Sequence, residues 1–193
     1  MCQTSKGAIH MDEIERKFVV PKRYHQTFLS RTPEISLVQG YLNRSPATVR
    51  VTLKRTSHSL PQEIGLIAFK GAPREGGLVR SEFEYKIPFE DAKRMLNEFE
   101  HDRVEKVRHL INIPGDSSNG HCWHVWEVDV VEVGPNQHLV LAEIEKPTVE
   151  EVMSAPLPVW VGEEVTGEKT FTMSQISKPG GLAYAYAFAY RNE

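Results

Sequence analysis

Glu13-Ile14-Glu15-Arg16-Lys17 is the stretch that decides how this chain is read. In extended backbone, successive side chains point to opposite faces, so Glu13, Glu15 and Lys17 share one face and Ile14 and Arg16 take the other. Two carboxylates one residue apart on a strand lie about 7 Å apart at the backbone, close enough to converge on one cation.

The same alternation recurs down the chain. Arg50 and Lys54 share a face against Val49, Val51 and Leu53. Arg80, Glu82, Glu84 and Lys86 face away from Phe83, Tyr85 and Ile87. Lys106 and Arg108 form another pair. Glu127 and Asp129 oppose Trp126, Val128 and Val130, and Glu143 and Glu145 oppose Val140, Ala142 and Ile144. Lys70 ends a strand of its own. A solvated outer face is the ordinary meaning of such alternation. Solvent faces, however, carry mainly Thr, Ser, Gln and single charges. Like charges two residues apart cost energy unless something binds between them. Divalent cations balance the acids and an anionic ligand balances the bases. A site for hard cations and a polyanion needs carboxylates for the metal and Lys or Arg for phosphate. The charged face is therefore expected to point inward.

Turn residues divide the chain into about eight strands, and eight antiparallel strands suffice to close a barrel. The strands are expected at Glu13–Val20, Ile35–Leu42, Ala47–Lys54, Gly65–Lys70, Leu78–Ile87, Val104–Ile113, Cys122–Val133 and His138–Glu145. Glu90–Glu100 reads as a helix, with acids in its first turn and Ala92, Met95, Leu96 and Phe99 on one face. Pro21–Ser30 and Thr148–Met153 read as short helices. The fold class expected is α+β, mainly β: an eight-stranded antiparallel barrel with a few flanking helices, one domain over residues 11–193 behind a flexible tail of residues 1–10. Leu182–Tyr190 has a period of two, yet its alanines favour helix. Its aromatic stripe of Tyr184, Tyr186, Phe188 and Tyr190 suits core, a homodimer surface or a plug at one end of the barrel.

The 193 residues carry a net charge of −3, which gives no reason to expect a sequence-specific nucleic-acid partner or a membrane surface. Cys2 and Cys122 lack metal-ligand spacing and do not suggest a disulfide, which fits a reducing cytoplasm. Residues 1–10 have no apolar core of a signal peptide, and no apolar run is long enough to span a membrane. His121 and His124 make a weak zinc signal, and Trp123, Trp126 and Trp160 read as packing residues.

Glu13-x-Glu15-x-Lys17 near the start of the chain resembles the signature of the CYTH superfamily, the triphosphate tunnel metalloenzymes. Val49-Arg50-Val51, Phe69-Lys70-Gly71, Arg80-x-Glu82-x-Glu84-Tyr85-x-Ile87-Pro88, Val104-x-Lys106-x-Arg108, Trp126-Glu127-Val128-Asp129, Leu141-Ala142-Glu143-Ile144-Glu145 and Glu164-Val165-Thr166 follow in the family's order. The resemblance implies an eight-stranded tunnel that acts on a triphosphate with Mg²⁺ or Mn²⁺, two ions during catalysis. It implies that Glu13, Glu15 and Glu143 ligate the triphosphate-binding metal, and that Asp129 and Glu145 serve a second metal that activates water. The resemblance also implies that Lys17, Arg50, Lys70, Arg80, Lys106 and Arg108 form the phosphate clamp. Glu82, Glu84 and Glu127 hold the basic residues or bind metal through water, and Lys169 is a late basic contributor. At that point the family form has Arg-Tyr, whereas this chain has Lys169-Thr170-Phe171.

The expected activity is hydrolysis of a linear triphosphate, inorganic tripolyphosphate first, by positioning and charge neutralisation rather than covalent catalysis. The chain has no G-x-S-x-G or Walker A pattern. The alternatives are a class IV-type adenylate cyclase in the same tunnel and a module that binds triphosphate or polyphosphate without turnover.

Overall fold

The computed structural model describes residues 11–57, 60–98, 102–115 and 123–193. The tail of residues 1–10, both cysteines, His121 and Phe99 lie outside them. Eight strands close into an antiparallel barrel: β1 (Met11–Val19), β2 (Ile35–Asn43), β3 (Thr48–Thr56), β4 (Gln62–Lys70), β5 (Val79–Ile87), β6 (Arg103–Pro114), β7 (Trp123–Gly134) and β8 (Gln137–Glu145). Around the wall they run β1-β5-β4-β3-β2-β6-β7-β8 and back to β1. This is the architecture that the alternating pattern predicts.

Closure depends on β1, which pairs with different neighbours along its two edges. Met11–Ile14 pairs with β5, and Glu15–Val19 pairs with β8. Where β5 has left it, a later segment takes its place. Val165 N–H donates to Lys17 C=O at 2.8 Å, Val19 N–H donates to Glu163 C=O at 2.9 Å, and Lys17 N–H donates to Thr166 Oγ1 at 3.1 Å. Glu164-Val165-Thr166 thus completes the wall, so the backbone groups of β1 are paired on both edges. Glu164 itself turns outward and takes a two-point contact from Arg16, at 3.1 and 2.6 Å.

The apolar parity faces out of the barrel and is roofed by helices. α1 (His25–Leu29) and α3 (Val149–Ser154) cover Ile14, Phe18, Trp126, Val128, Ala142 and Ile144, with Phe28 and Val152 packed among them. Trp126 is fully buried and meets Trp160 edge-on with centroids 5.6 Å apart. α2 (Phe89–Glu98) begins after Pro88 with Glu90 and Asp91 in its first turn, where the helix dipole favours acids. It sets Ala92 and Leu96, four residues apart, against Val51 and Leu53. Gly40 lets it lie close, because a Cβ there would stand 2.4 Å from Leu96 Cδ2.

At one end of the barrel the inward positions change from charged to apolar. Val19, Tyr41, Val104, Val131, Leu139 and Leu141 form one buried cluster with Phe171, Met173, Ile176, Ala185 and Tyr190. Those partners come from a 3-10 turn (Lys169–Phe171), α4 (Met173–Ile176) and α5 (Gly181–Ala189). The C-terminal tail is therefore helical, and this segment stoppers the end of the barrel. Full burial of Phe171 and Ile176 contributes about 2 kcal/mol each. Tyr190 O–H donates to Val20 C=O at 3.2 Å and accepts from Val140 N–H at 3.1 Å, which pins α5 to β8. Gly167, at φ 75°, meets the β4–β5 turn backbone to backbone: a Cβ on Gly77 would stand 2.2 Å from Gly167 Cα. Among the described residues no helix is long and apolar enough to cross a membrane.

Candidate active site in the barrel

The charged parity lines a cavity of about 580 Å³. Its wall has two unlike halves. The inward carboxylates Glu13 and Glu15 (β1), Glu82 and Glu84 (β5), Glu127 and Asp129 (β7), and Glu143 and Glu145 (β8) all lie on strands that neighbour one another around the barrel, β5-β1-β8-β7. The other half, β4-β3-β2-β6, turns Lys70, Arg50, Lys54, Lys106 and Arg108 to the cavity with neutral Gln39, Thr52, Thr48 and Tyr41, and carries no inward acid. An acidic wall thus stands against a basic one.

Ion pairs form within the acidic half and along the seams where β4 meets β5 and β6 meets β7. Lys70 Nζ donates to both oxygens of Glu13 at 2.8 Å and lies 3.0 Å from Glu82. Arg50 donates to Glu82 at 3.2 Å and Glu84 at 3.1 Å. Lys17 sits 2.9 Å from Glu143 and 3.6 Å from Glu15. Arg108 grips Asp129 through two 2.7 Å bonds, reaches Glu143 at 3.4 Å and also pairs with Glu127. Lys106 donates to Asp129 at 2.5 Å. Arg80 differs: it donates to the carbonyls of Gly71 and Lys70 and to Thr48 Oγ1, so its charge is not spent on a carboxylate.

The acids respond in two ways. Burial alone would raise Glu143, but Lys17, Arg108 and Lys106 outweigh it and hold the carboxyl well below the usual range. Arg108 and Lys106 likewise overcome burial to lower Asp129. Glu13 and Glu15 go the other way: burial dominates, neighbouring acids add to it, and Lys70 and Lys17 only partly offset it. Burial, then the charges of Glu13, Glu127, Glu15 and Glu82, push the Glu145 carboxyl up to about 7. Glu145 is solvent-exposed on one side and crowded by these four acids on the other.

An inorganic triphosphatase of Acetivibrio thermocellus is 31% identical over 167 residues, which cover 86% of this chain and 93% of that protein. The chain belongs to the inorganic triphosphatase family of triphosphate tunnel metalloenzymes. A second inorganic triphosphatase, from Nitrosomonas europaea, is 30% identical over 161 residues, 83% of this chain and 93% of that protein. The crystal structure of the inorganic triphosphatase NE1496 shares the fold, with a TM-score of 0.51 and 24% identity over 90% of this chain and 99% of that one. No protein-family model matches the chain.

In this tunnel metalloenzyme every residue that the family resemblance marks for metal or phosphate lines the cavity except Asp129, and Lys86 of the charged face does not reach it. Asp129 is fully buried behind the wall, and its oxygens are taken by Lys106 and Arg108. Among the described residues no three His, Cys, Asp or Glu side chains stand together as a ready metal cage, because Lys and Arg occupy the carboxylates. The donor set still fits a hard divalent cation. Glu15 and Glu145 are opposite one another in the β1–β8 register, Glu13 is the next inward residue, and burial together with the neighbouring acids raises all three carboxyls.

Lys169 reaches the cavity from the stopper, together with Thr166, Gly167, Glu168, Met173 and Ser174. The change to Thr170-Phe171 therefore leaves this lysine in the wall and places Phe171 in the apolar seal. Gln39 and Tyr41 also line the cavity and were not singled out. Strand parity puts them on one face with Ile35 and Leu37, but being uncharged they gave no signal against a background of core residues. Burial pushes the Tyr41 phenol up to about 12, so it is neutral there.

Proposed function

We propose that the protein hydrolyses inorganic tripolyphosphate to pyrophosphate and phosphate with Mg²⁺ or Mn²⁺, using two ions, in the cytoplasm. The observation that carries this reading is the split wall: crowded carboxylates on four neighbouring strands against an acid-free basic wall. Lys17, Arg50, Lys70, Arg80, Lys106 and Arg108 bind phosphoryl oxygens, with Lys169 at the stoppered end. Glu13, Glu15, Glu143 and Glu145 hold the cations. A bound divalent ion supplies charge neutralisation and makes a water acidic enough to act near neutral pH.

In the free protein the acids and bases neutralise each other. A metal–triphosphate complex offers each of them a better partner, so Lys70 exchanges Glu13 for phosphate and Lys17 exchanges Glu143 and Glu15. The clamp keeps the chain of phosphates in line, which is most of what phosphoryl transfer asks of a protein. Water adds to the terminal phosphorus, the bridging P–O bond breaks, and pyrophosphate leaves with the basic wall balancing its charge. Asp129 acts from behind by fixing the heads of Lys106 and Arg108. Glu82 and Glu84 do the same for Arg50, and Glu127 for Arg108.

Phosphate release from tripolyphosphate, ATP and thiamine triphosphate with each metal tests the reading, with cyclic AMP assayed in the ATP arm. Tripolyphosphate is expected to have the highest kcat/KM. Cyclic AMP as the main product would replace the reading with a cyclase. Tight binding of tripolyphosphate without turnover under either metal would replace it with a binding module.

A further inference from the structure

Six cavity cations are engaged in the free protein, five by carboxylates and Arg80 by carbonyls and Thr48. Lys54 is not. It lies on β3, in the acid-free half, and lines the cavity. Among the described residues no carboxylate comes within ion-pair distance of it. Its register partners are Leu37 on β2 and Ile64 on β4, so its cross-strand neighbours are aliphatic on both sides. Leu37 and Leu66 line the same stretch of wall. Lys54 is four residues along β3 from Arg50, toward the end of the barrel that the C-terminal segment leaves free, and it is partly buried.

An ammonium between aliphatic neighbours, inside a cavity and without a counter-ion, lacks what makes such a placement favourable. The paired lysines and arginines must give up a carboxylate before they take a phosphate. Lys54 gives up nothing. We propose that Lys54 is a further substrate-binding residue, which takes a phosphoryl oxygen of the polyphosphate chain nearest the open end of the barrel and supplies binding that does not wait for the metal. The proposal rests on the tripolyphosphate reading above.

The experiment compares Lys54→Met, Lys54→Arg and wild type. Met keeps the aliphatic stem between Leu37 and Ile64, and Arg restores the charge. Binding of inorganic tripolyphosphate is measured by calorimetry without divalent metal, and steady-state kinetics are measured with saturating Mg²⁺. Lys54→Met is expected to weaken metal-free binding about tenfold and raise KM by a similar factor, with kcat within about twofold. Lys54→Arg is expected to recover most of both. Unchanged Kd and KM in Lys54→Met would overturn the proposal, as would a fall in kcat with KM unmoved. So would equal loss in both variants, since that marks a purely structural role. If Lys54→Met does not fold, Lys54→Gln takes its place with the same readouts. Wild-type protein that binds tripolyphosphate but does not cleave it would sink the hydrolase reading and leave the binding arm to judge Lys54 by itself.

Discussion

The strands β5, β1, β8 and β7 and the strands β4, β3, β2 and β6 build the two halves of one tunnel with the same alternating backbone, yet they differ in what they turn inward. The first half carries all the inward acids together with Lys17 and Arg80. The second carries bases, amide, hydroxyl and aliphatic groups. The difference teaches that a barrel interior can keep a charged lining of mixed sign by gathering the acids on neighbouring strands and pairing them with bases on the same or nearby strands. Each ion pair that holds the free protein together is also a pair that a metal and a polyanion can take over. A buried pair of this kind adds little net stability, because desolvation offsets the attraction. Its presence here is better explained by binding than by folding.

Substitutions that unbalance one half should show the largest effects. Glu13→Ala removes a carboxylate from the first half and releases Lys70. With saturating Mg²⁺ it should lower kcat/KM for tripolyphosphate about a thousandfold, roughly 4 kcal/mol. Metal-free binding of the same anion should become tighter, not weaker, because Lys70 no longer shares its charge. Weaker metal-free binding would show that Glu13 does not compete for Lys70.

Asp129→Asn comes next. It leaves Lys106 and Arg108 buried without their shared counter-ion, a change that costs about 3–5 kcal/mol. In a chain of this size that lowers Tm by about 10 °C. Added tripolyphosphate should restore part of it by replacing the lost negative charge, which a thermal scan with and without the anion would show. A Tm within a degree of wild type would mean that Asp129 holds neither cation in place.

A smaller effect is expected at Glu145, and pH gives its sign. An acid raised in the folded state keeps its proton while the unfolded chain has lost it. It therefore destabilises progressively as pH rises from about 4.5, its ordinary value, through about 7. Glu145→Gln should raise Tm of the metal-free protein at pH 8 and leave it unchanged at pH 5. Wild type should need less Mg²⁺ for half-activation at pH 8 than at pH 6, because the proton and the metal compete for the same oxygens. Equal metal requirements at the two pH values would remove Glu145 from the metal site.

The smallest effect belongs outside the tunnel. Arg16→Ala breaks the two-point contact to Glu164 outside the tunnel, where Arg16 is buried but Glu164 reaches solvent, and the half-screened pair contributes about 1 kcal/mol. Thermal unfolding should shift by only a few degrees and KM should not move.

Much of this architecture is legible in the sequence because the period-two pattern is unusually loud. Glu13, Glu15 and Lys17 against Ile14 and Phe18 define an inside and an outside, and six further strands repeat the distinction. Pattern cannot say which strands are neighbours, however. The two halves appear only when β5 lies beside β1 and β2 beside β6, pairings between strands far apart in sequence. Asp129 shows a second limit. Its parity puts it with Glu127, yet it sits behind Lys106 and Arg108, because a barrel wall has depth as well as sides. The stopper was ambiguous for a third reason: alanines alternating with aromatics satisfy the strand period and the helix propensity at once, and only the apolar ring of Val19, Leu139 and Leu141 decides between them. Gln39 and Tyr41 were silent because neutral residues on an inward face look the same as those of any core.

The division of labour between the halves is tested most directly by one calorimetric comparison of Glu15→Gln with Arg50→Gln, titrating each with tripolyphosphate in the absence of metal and with Mg²⁺ in the presence of saturating tripolyphosphate. The account predicts that Glu15→Gln weakens Mg²⁺ binding about tenfold or more and leaves metal-free tripolyphosphate binding unchanged or tighter, and that Arg50→Gln does the reverse. If both variants weaken the same constant by the same factor, the two halves do not divide metal from phosphate and the account is wrong.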